Sequence, residues 1–323
     1  MYSVAIIGCG RIGYLHDLNK KFSGSYTHYN AINKSKFFKL IALAEKNSSL
    51  RKKILIKSRV PVYSSYKKLL IDHKPDVIIL ATDDKSHFNI LIDLVKYKPK
   101  FVFAEKPLTL KLEESKKVIA LYKKNSIFLS VNFSRRYSKV FQKIKKLIDN
   151  KKLGKIENID LRYSRGFFHN AIHWVDLCIW YFGIPIKTIV ESKKKSSSFK
   201  GDYTVDLRFI YKDNLIVRFK GLDINNLGNE ELDIFGTIGR IQINPDDEYK
   251  FYVVKDHNIY KKTKIYKIKE LSKINNSQLL ANALENIKNL LDETTDLNMS
   301  PAENSEMILK ITHKLKLDKI KTI

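Results

Sequence analysis

Cysteine is nearly absent from this 323-residue sequence. Cys9 and Cys178 are the two, too far apart to make a redox pair or a metal-ligand motif. Both thiols are expected to stay reduced, in a cytoplasmic protein. Long apolar runs are lacking as well: none approaches the roughly 18 residues of a membrane span. A strand-like run begins close to Met1, so no leader is expected before it. Acidic residues are scarce, with 34 Asp and Glu against 60 Lys and Arg, for a formal charge of +26. Such an excess raises nucleic-acid binding, but a confined Arg-rich stripe is missing. The surplus is mostly Lys, spread along the chain beside abundant Ile and Asn. It reads as compositional bias and a solvated basic surface, whose field could also attract a phosphate-bearing small substrate. No nucleic-acid or membrane partner is expected. Internal repeats and a disordered tail are also missing from the pattern.

What is present is a core-forming composition, 44% hydrophobic, and a glycine motif near the start. The run Val4-Ala5-Ile6-Ile7 leads into Gly8-Cys9-Gly10-Arg11-Ile12-Gly13. In a strand–turn–helix setting the first Gly permits the turn, the second admits a pyrophosphate, and the third lets helix and strand pack closely. The helix start then offers amides and a positive dipole end to phosphate. The motif needs an acidic residue ending a second strand. Phe37 to Ala44 supplies that strand, and Glu45 follows it. The spacing from Gly13 to Glu45 is long, which an insertion around Lys20 to Thr27 explains. Together these features predict dinucleotide binding.

Further along, the chain alternates. Tyr29 to Ile32 reads as helix, Val60 to Tyr63 as extended, and Tyr66 to Leu70 as helix. Asp76 to Thr82 reads as strand and His87 to Lys96 as helix. Lys100 to Ala104 is strand, Leu112 to Lys124 helix and Ile127 to Val131 a sixth strand. Alternation of this kind predicts a doubly wound parallel sheet, with ligand chemistry at the carboxyl ends of its strands. Thr82, His87, Glu105 and Lys106 stand at such ends. From Asn132 the pattern changes: helix through Val140 to Ile148, strand over Ile156 to Tyr163, helix over His169 to Phe182. Strand after strand then follows from Thr188 to Tyr266, separated at Lys212-Asp213-Asn214, Asn225-Asn226 and Pro245-Asp246-Asp247. Gln278 to Asp292 and Ala302 to Lys316 read as closing helices. The predicted class is α/β: a Rossmann domain over residues 1–131, then an α+β domain over 132–323 with a large, open, mostly antiparallel sheet.

Two places could carry chemistry. Lys106, between Glu105 and Pro107, is either an ordinary surface lysine after a strand or a partly desolvated one that binds a substrate hydroxyl. His169 and His173 are one helical turn apart, with Asp176 three residues on. The pair is open to three readings: a metal site, a structural pair at a helix start, or a general base kept neutral by the helix dipole. Asn170 stands where a zincin has Glu, and no third ligand is near, so no metal is expected. Trp174 and Trp180 read as core.

The glycine loop, Thr82 with His87, Glu105-Lys106-Pro107, Arg135-Arg136-Tyr137, His173 with Asp176-Leu177 and Phe235-Gly236-Thr237-Ile238-Gly239 occur in the order of the glucose–fructose oxidoreductase / inositol dehydrogenase (Gfo/Idh/MocA) family. The chain resembles that family over almost its full length. The resemblance implies a dehydrogenase acting on sugars, cyclitols, nucleotide sugars or related substrates, with Lys106 and His173 matching the catalytic pair. Two departures stand out: His169 occupies a position where many members have Asp, and Thr82-Asp83 replaces Thr-Pro. Asn170 with His173 resembles a branch associated with bacterial surface-polysaccharide gene sets.

The expected reaction is reversible hydride transfer between nicotinamide and a secondary alcohol of a sugar or nucleotide sugar. His173 takes the proton, Lys106 holds the oxygen and His169 tunes or relays. Gly8, Cys9, Gly10, Arg11, Ile12, Gly13, Glu45, Thr82, His87, Glu105 and Lys106 are the expected cofactor residues. Arg135, Arg165, Asn170 and Asp176 are the expected substrate residues. Glu45 favours NAD over NADP, although Lys46 and Arg11 could offset its repulsion of a 2′-phosphate. A homodimer or homotetramer is expected through the open sheet, on a face read as rich in Ile, Val, Phe and Tyr. The rival readings are a non-catalytic dinucleotide-binding regulator and a carbonyl or imine reductase on a non-sugar substrate.

Overall fold

The fold is that of a computed structural model, which describes residues 1–18, 24–224 and 227–317. Two compact units divide the chain. One comprises Met1–Tyr137 with Asn276–Leu309, and the other comprises Ser138–Asn275 with the described residues 310–317.

The first unit is a six-stranded parallel sheet. Its strands are β1 (Tyr2–Ile7), β2 (Phe38–Ala44), β3 (Val62–Tyr63), β4 (Val77–Leu80), β5 (Phe101–Ala104) and β6 (Phe128–Val131), in the order β3-β2-β1-β4-β5-β6. The central strands are continuous apolar runs because both faces are covered: Val77 to Leu80 and Phe101 to Ala104 are buried at every position. The helices are α1 (His28–Lys34), α2 (Ser48–Leu55), α3 (Tyr66–Asp72), α4 (His87–Leu94) and α5 (Leu112–Lys124). Helix α2 escaped the sequence reading, although its start is marked locally: Asn47 caps it by accepting from the Leu50 amide at 2.9 Å.

The insertion interrupts the helix of the glycine motif. After one turn from Gly10 the chain departs, and it returns so that the His28 amide bonds Ile12 O at 2.9 Å and Tyr29 bonds Gly13 O at 3.1 Å. Thr27 caps the resumed helix. Of the expected insertion, Lys20 to Ser23 lie outside the described residues.

The stretch 276–309, expected in the second domain, packs in the first unit. Helix α8 (Leu279–Leu291) lays Leu280, Ala283, Leu284 and Ile287 into the core that holds Val4, Ile6, Leu40, Val77 and Phe103. Each of these leucines and the isoleucine contributes roughly 1.5–3 kcal/mol by leaving water, which fixes α8 to this sheet. The break expected after residue 131 accordingly falls after Tyr137, beyond a 3₁₀ turn over Ser134–Tyr137.

The second unit contains α6 (Lys139–Asp149), β7 (Ile156–Ser164), a π-helical turn (Phe167–Ala171) and α7 (Ile172–Phe182). Strands β8 (Lys187–Lys195), β9 (Tyr203–Ile210), β10 (Ile216–Leu222), β11 (Glu230–Gly236), β12 (Gly239–Ile243), β13 (Glu248–Asp256) and β14 (Lys264–Lys273) follow, and α9 (Glu303–Leu317) closes the described chain. The sheet order is β14-β13-β12-β11-β7-β10-β9-β8, antiparallel except for β7 against β10. A 3₁₀ turn over Lys212–Asn214 separates β9 from β10 as expected; Asn225-Asn226 lie outside the described residues, as does the expected order of the chain beyond Leu317.

One face of this sheet buries Ile159, Leu161, Leu207, Phe219, Ile234 and Ile241. The other face is mixed: Phe235, Tyr252, Tyr266 and Ile268 stand on it toward the β14 edge. Strand alternation places charges there, paired across strands: Arg162 with Glu231 at 2.8 Å, Lys220 with Asp206 at 2.6 Å, and Arg240 with Asp233. Ile, Val and Phe are divided between this face and the core, where Val205, Phe209, Val217 and Phe219 are buried.

Candidate active site

In the first unit the glycine turn, the end of β2 and the ends of β4 and β5 enclose a crevice of about 780 Å³. It lies at the strand ends where the order reverses from β1 to β4, the place such sheets hold ligands. Gly8, Gly10, Arg11, Ile12, Glu45, Thr82, Glu105 and Lys106 line it. Gly8 has φ +94°, and a Cβ there would meet the Ala81 carbonyl at 2.5 Å. A Cβ on Gly13 would lie 2.2 Å from Gly8 O, whereas at Gly10 nothing stands within 4 Å. The turn is therefore tight at its first and third glycines and open at its second, as a pyrophosphate requires. The fit to a dinucleotide is good.

Glu45 is 8% exposed. Its Oε2 accepts from the Cys9 amide at 2.9 Å and its Oε1 from Asn47 at 2.8 Å. These contacts lock the carboxylate at the crevice, and each oxygen keeps acceptor capacity for a ribose hydroxyl.

Three expected cofactor residues do not line the crevice. Cys9 is fully buried, its amide given to Glu45 and its Sγ donating to Ala44 O at 3.7 Å. Burial, then the Glu45 charge, pushes its thiol well up, so it stays protonated. Gly13 is turned against Gly8. His87 is wholly buried, with Nδ1 2.9 Å from Pro107 O, and holds the loop after Lys106 from beneath.

Beside Lys106, the Glu105 side chain is 16% exposed and binds His28 Nε2 at 2.7 Å and Asn132 Nδ2 at 2.8 Å through Oε1. Burial raises its pKa, but the His28 and Asn132 hydrogen bonds and the Lys106 charge outweigh this and hold it below the usual carboxylate range. An anion thus sits next to Lys106 in the chain. The sequence reading missed His28, because nothing local marks a partner 77 residues from Glu105. It also passed over Ser64, Ser65, Asp84 and Asn89, which line the crevice.

In the second unit, β7 is followed by Arg165 (φ +66°) and Gly166 (φ +84°) before the π turn. Asp202 caps that turn. Its Oδ1 accepts from the Phe168 amide at 3.0 Å and its Oδ2 from His169 at 2.9 Å. A Cβ on Gly166 would lie 2.3 Å from Asp202 Oδ2, so the carboxylate's approach depends on glycine there. His169 is exposed and stacks on Phe199 with ring centroids 3.7 Å apart, and the Arg165 guanidinium lies 5.8 Å from the same ring. His173, at the start of α7, is half-buried. Asp176 and Trp174 are buried, while Trp180 is partly exposed and stacks on Tyr181. Asn170 Nδ2 donates to Ser164 O at 3.0 Å. Arg135, half-buried in the 3₁₀ turn of the first unit, is not among the residues lining the crevice. Among the described residues no group of three or more His, Cys, Asp or Glu is arranged to hold a metal, and no helix is long and apolar enough to cross a membrane.

A parallel sheet with this turn and acid defines an NAD-binding Rossmann protein. Residues 2–133 match the Gfo/Idh/MocA oxidoreductase family, NAD-binding Rossmann fold. The match places the NAD-binding Rossmann domain of that family in this chain, and the protein is an NAD-binding oxidoreductase. It is 26% identical over 262 residues to the myo-inositol 2-dehydrogenase of Thermotoga maritima, covering 74% of this chain and 72% of that one. The NAD⁺-dependent scyllo-inositol 2-dehydrogenase of Bacillus subtilis is 28% identical over 152 residues, 47% of this chain and 41% of its own. Among solved structures, the WlbA dehydrogenase of Bordetella pertussis, in complex with NADH and UDP-GlcNAcA, superposes with a TM-score of 0.76 at 16% identity, covering 99% of this chain and 97% of that one. An Agrobacterium radiobacter oxidoreductase in complex with NAD⁺, L-tartaric acid and magnesium gives 0.76 at 15% identity, covering 97% and 94%.

Proposed function

We propose that this oxidoreductase is a cytoplasmic, NAD-preferring dehydrogenase acting on a secondary alcohol of a sugar or nucleotide sugar, of the kind used in surface-polysaccharide assembly. The observation that carries this reading is Lys106, which lines the dinucleotide crevice directly after the buried, ionised Glu105. Bound nicotinamide supplies the hydride acceptor. Lys106 holds and polarises the substrate oxygen, and His173 takes its proton. His169, stacked on Phe199, tunes or relays. Arg165 beside that ring suits a sugar bearing a carboxylate or phosphate. We assign Asn170 and Asp176 to holding the turn and helix, since one is bonded to Ser164 O and the other is buried. The relative bound to NADH and UDP-GlcNAcA supports a nucleotide-sugar substrate.

Preference for NAD follows from Glu45, whose carboxylate would repel a 2′-phosphate. Two buried free thiols, Cys9 and Cys178, suit a reducing compartment. Assembly as a homodimer or homotetramer through the open sheet remains our proposal, with the cross-strand ion pairs as the face presented. The test of substrate class is nicotinamide absorbance with NAD⁺ and a panel of inositols, free sugars and nucleotide sugars. Reduction of NAD⁺ with a sugar-class alcohol is expected; turnover confined to non-sugar carbonyls or imines would overturn the substrate class.

A further inference from the structure

Lys46, the residue directly after Glu45, places its ammonium 2.7 Å from Asp83 Oδ2. Lys46 follows β2 and Asp83 follows β4, and those strands flank β1 on its two sides. The pair therefore crosses the crevice above the glycine turn, and both residues line it. Each end is anchored. Arg51 Nη1 donates to the Glu45 and Lys46 carbonyls at 2.9 and 3.2 Å. Ser86 Oγ donates to the Asp83 carbonyl at 2.8 Å and pairs with the Thr82 hydroxyl at 2.9 Å. The hydrogen bond between them raises Lys46 and lowers Asp83, so both stay charged through neutral pH.

This arrangement bears on selectivity. A lysine adjoining the ribose-binding carboxylate is placed to receive a 2′-phosphate, which would cancel the repulsion from Glu45. Here that lysine is already neutralised. We infer that Asp83 is a cofactor-selectivity residue: by engaging Lys46 it withholds the cation that NADP(H) would need, and leaves Glu45 to select NAD(H). The inference rests on the NAD preference proposed above. Because the pair is exposed, its effect weakens as salt screens it.

The test is calorimetric titration of the full-length protein and its variants with NADH and with NADPH at low ionic strength. The wild type should bind NADH more tightly. Asp83→Ala should raise the NADPH-to-NADH affinity ratio by roughly tenfold, the scale of one hydrogen bond gained to a charged group. Asp83→Asn should move the same way, and Asp83→Glu should keep the wild-type ratio. Adding Lys46→Ala to Asp83→Ala should abolish the gain. An unchanged ratio in both Asp83→Ala and Asp83→Asn, with NADH preferred by the wild type, overturns the role of Asp83 alone. So does a gain that survives Lys46→Ala, which would point to another cation such as Arg11. A wild type that binds NADPH as tightly as NADH overturns the NAD preference itself, and this role with it.

Discussion

At the scale of single residues, Glu105 and His28 set the electrostatics beside Lys106. The folded pKa of Glu105 lies below its unfolded value, since hydrogen bonds outweigh the burial that opposes them. Its contribution to stability is therefore full above the unfolded glutamate pKa of about 4.3 and is lost as pH falls through the folded value. His28→Ala removes the largest of the lowering contacts and leaves a buried carboxylate short of a partner. A loss of about 3 kcal/mol is expected, with the acid limb of the stability curve shifted to higher pH. Urea midpoints measured against pH check this; a limb that stays in place would show that Asn132 and Lys106 suffice. The glycine turn and Glu45 were legible in the sequence because their geometry is local to a strand end. The His28 contact was not, because the fold alone joins it to Glu105. Cys9, Gly13 and His87 read as cofactor residues in a motif, yet they are placed to shape the turn and the Lys106 loop from behind.

At the scale of elements, the π turn matters most. Residues 169 to 182 carry enough apolar positions to read as a continuous helix, and periodicity does not distinguish a π turn from an α turn at its start. The turn alters how His169 is carried relative to His173, and Asp202 holds it through the Phe168 and His169 amides. Asp202→Ala is expected to cost about 1 kcal/mol, the scale of a lost cap, and to lower kcat with NADH affinity unchanged. Asp202→Asn, which keeps one acceptor oxygen, should restore part of both. Steady-state kinetics with thermal melts decide it: a melt that shifts with no change in kcat would make the cap structural only. Helix α8 teaches a related lesson. Its amphipathic pattern announced a helix, but an apolar face does not name the sheet it covers, and only the fold assigns it to the first unit.

At the scale of the whole molecule, the charge of +26 comes from basic residues in excess of acids, while the open sheet carries cross-strand pairs that are neutral in sum. Such a ladder of mixed sign can be self-complementary about a two-fold axis. Light scattering at micromolar concentration should give a dimer or tetramer mass, and a monomer mass would contradict assembly through this face. The central claim, that Lys106 and His173 perform alcohol oxidation together with bound NAD, is tested most directly by turnover of His173→Ala and Lys106→Ala on the active sugar, measured beside NADH affinity. Turnover is expected to fall by about 10²- to 10⁴-fold in His173→Ala, and by at least as much in Lys106→Ala, with NADH binding nearly intact in both. Near-normal turnover of His173→Ala would contradict the assignment and place the base elsewhere, with His169 the first residue to examine.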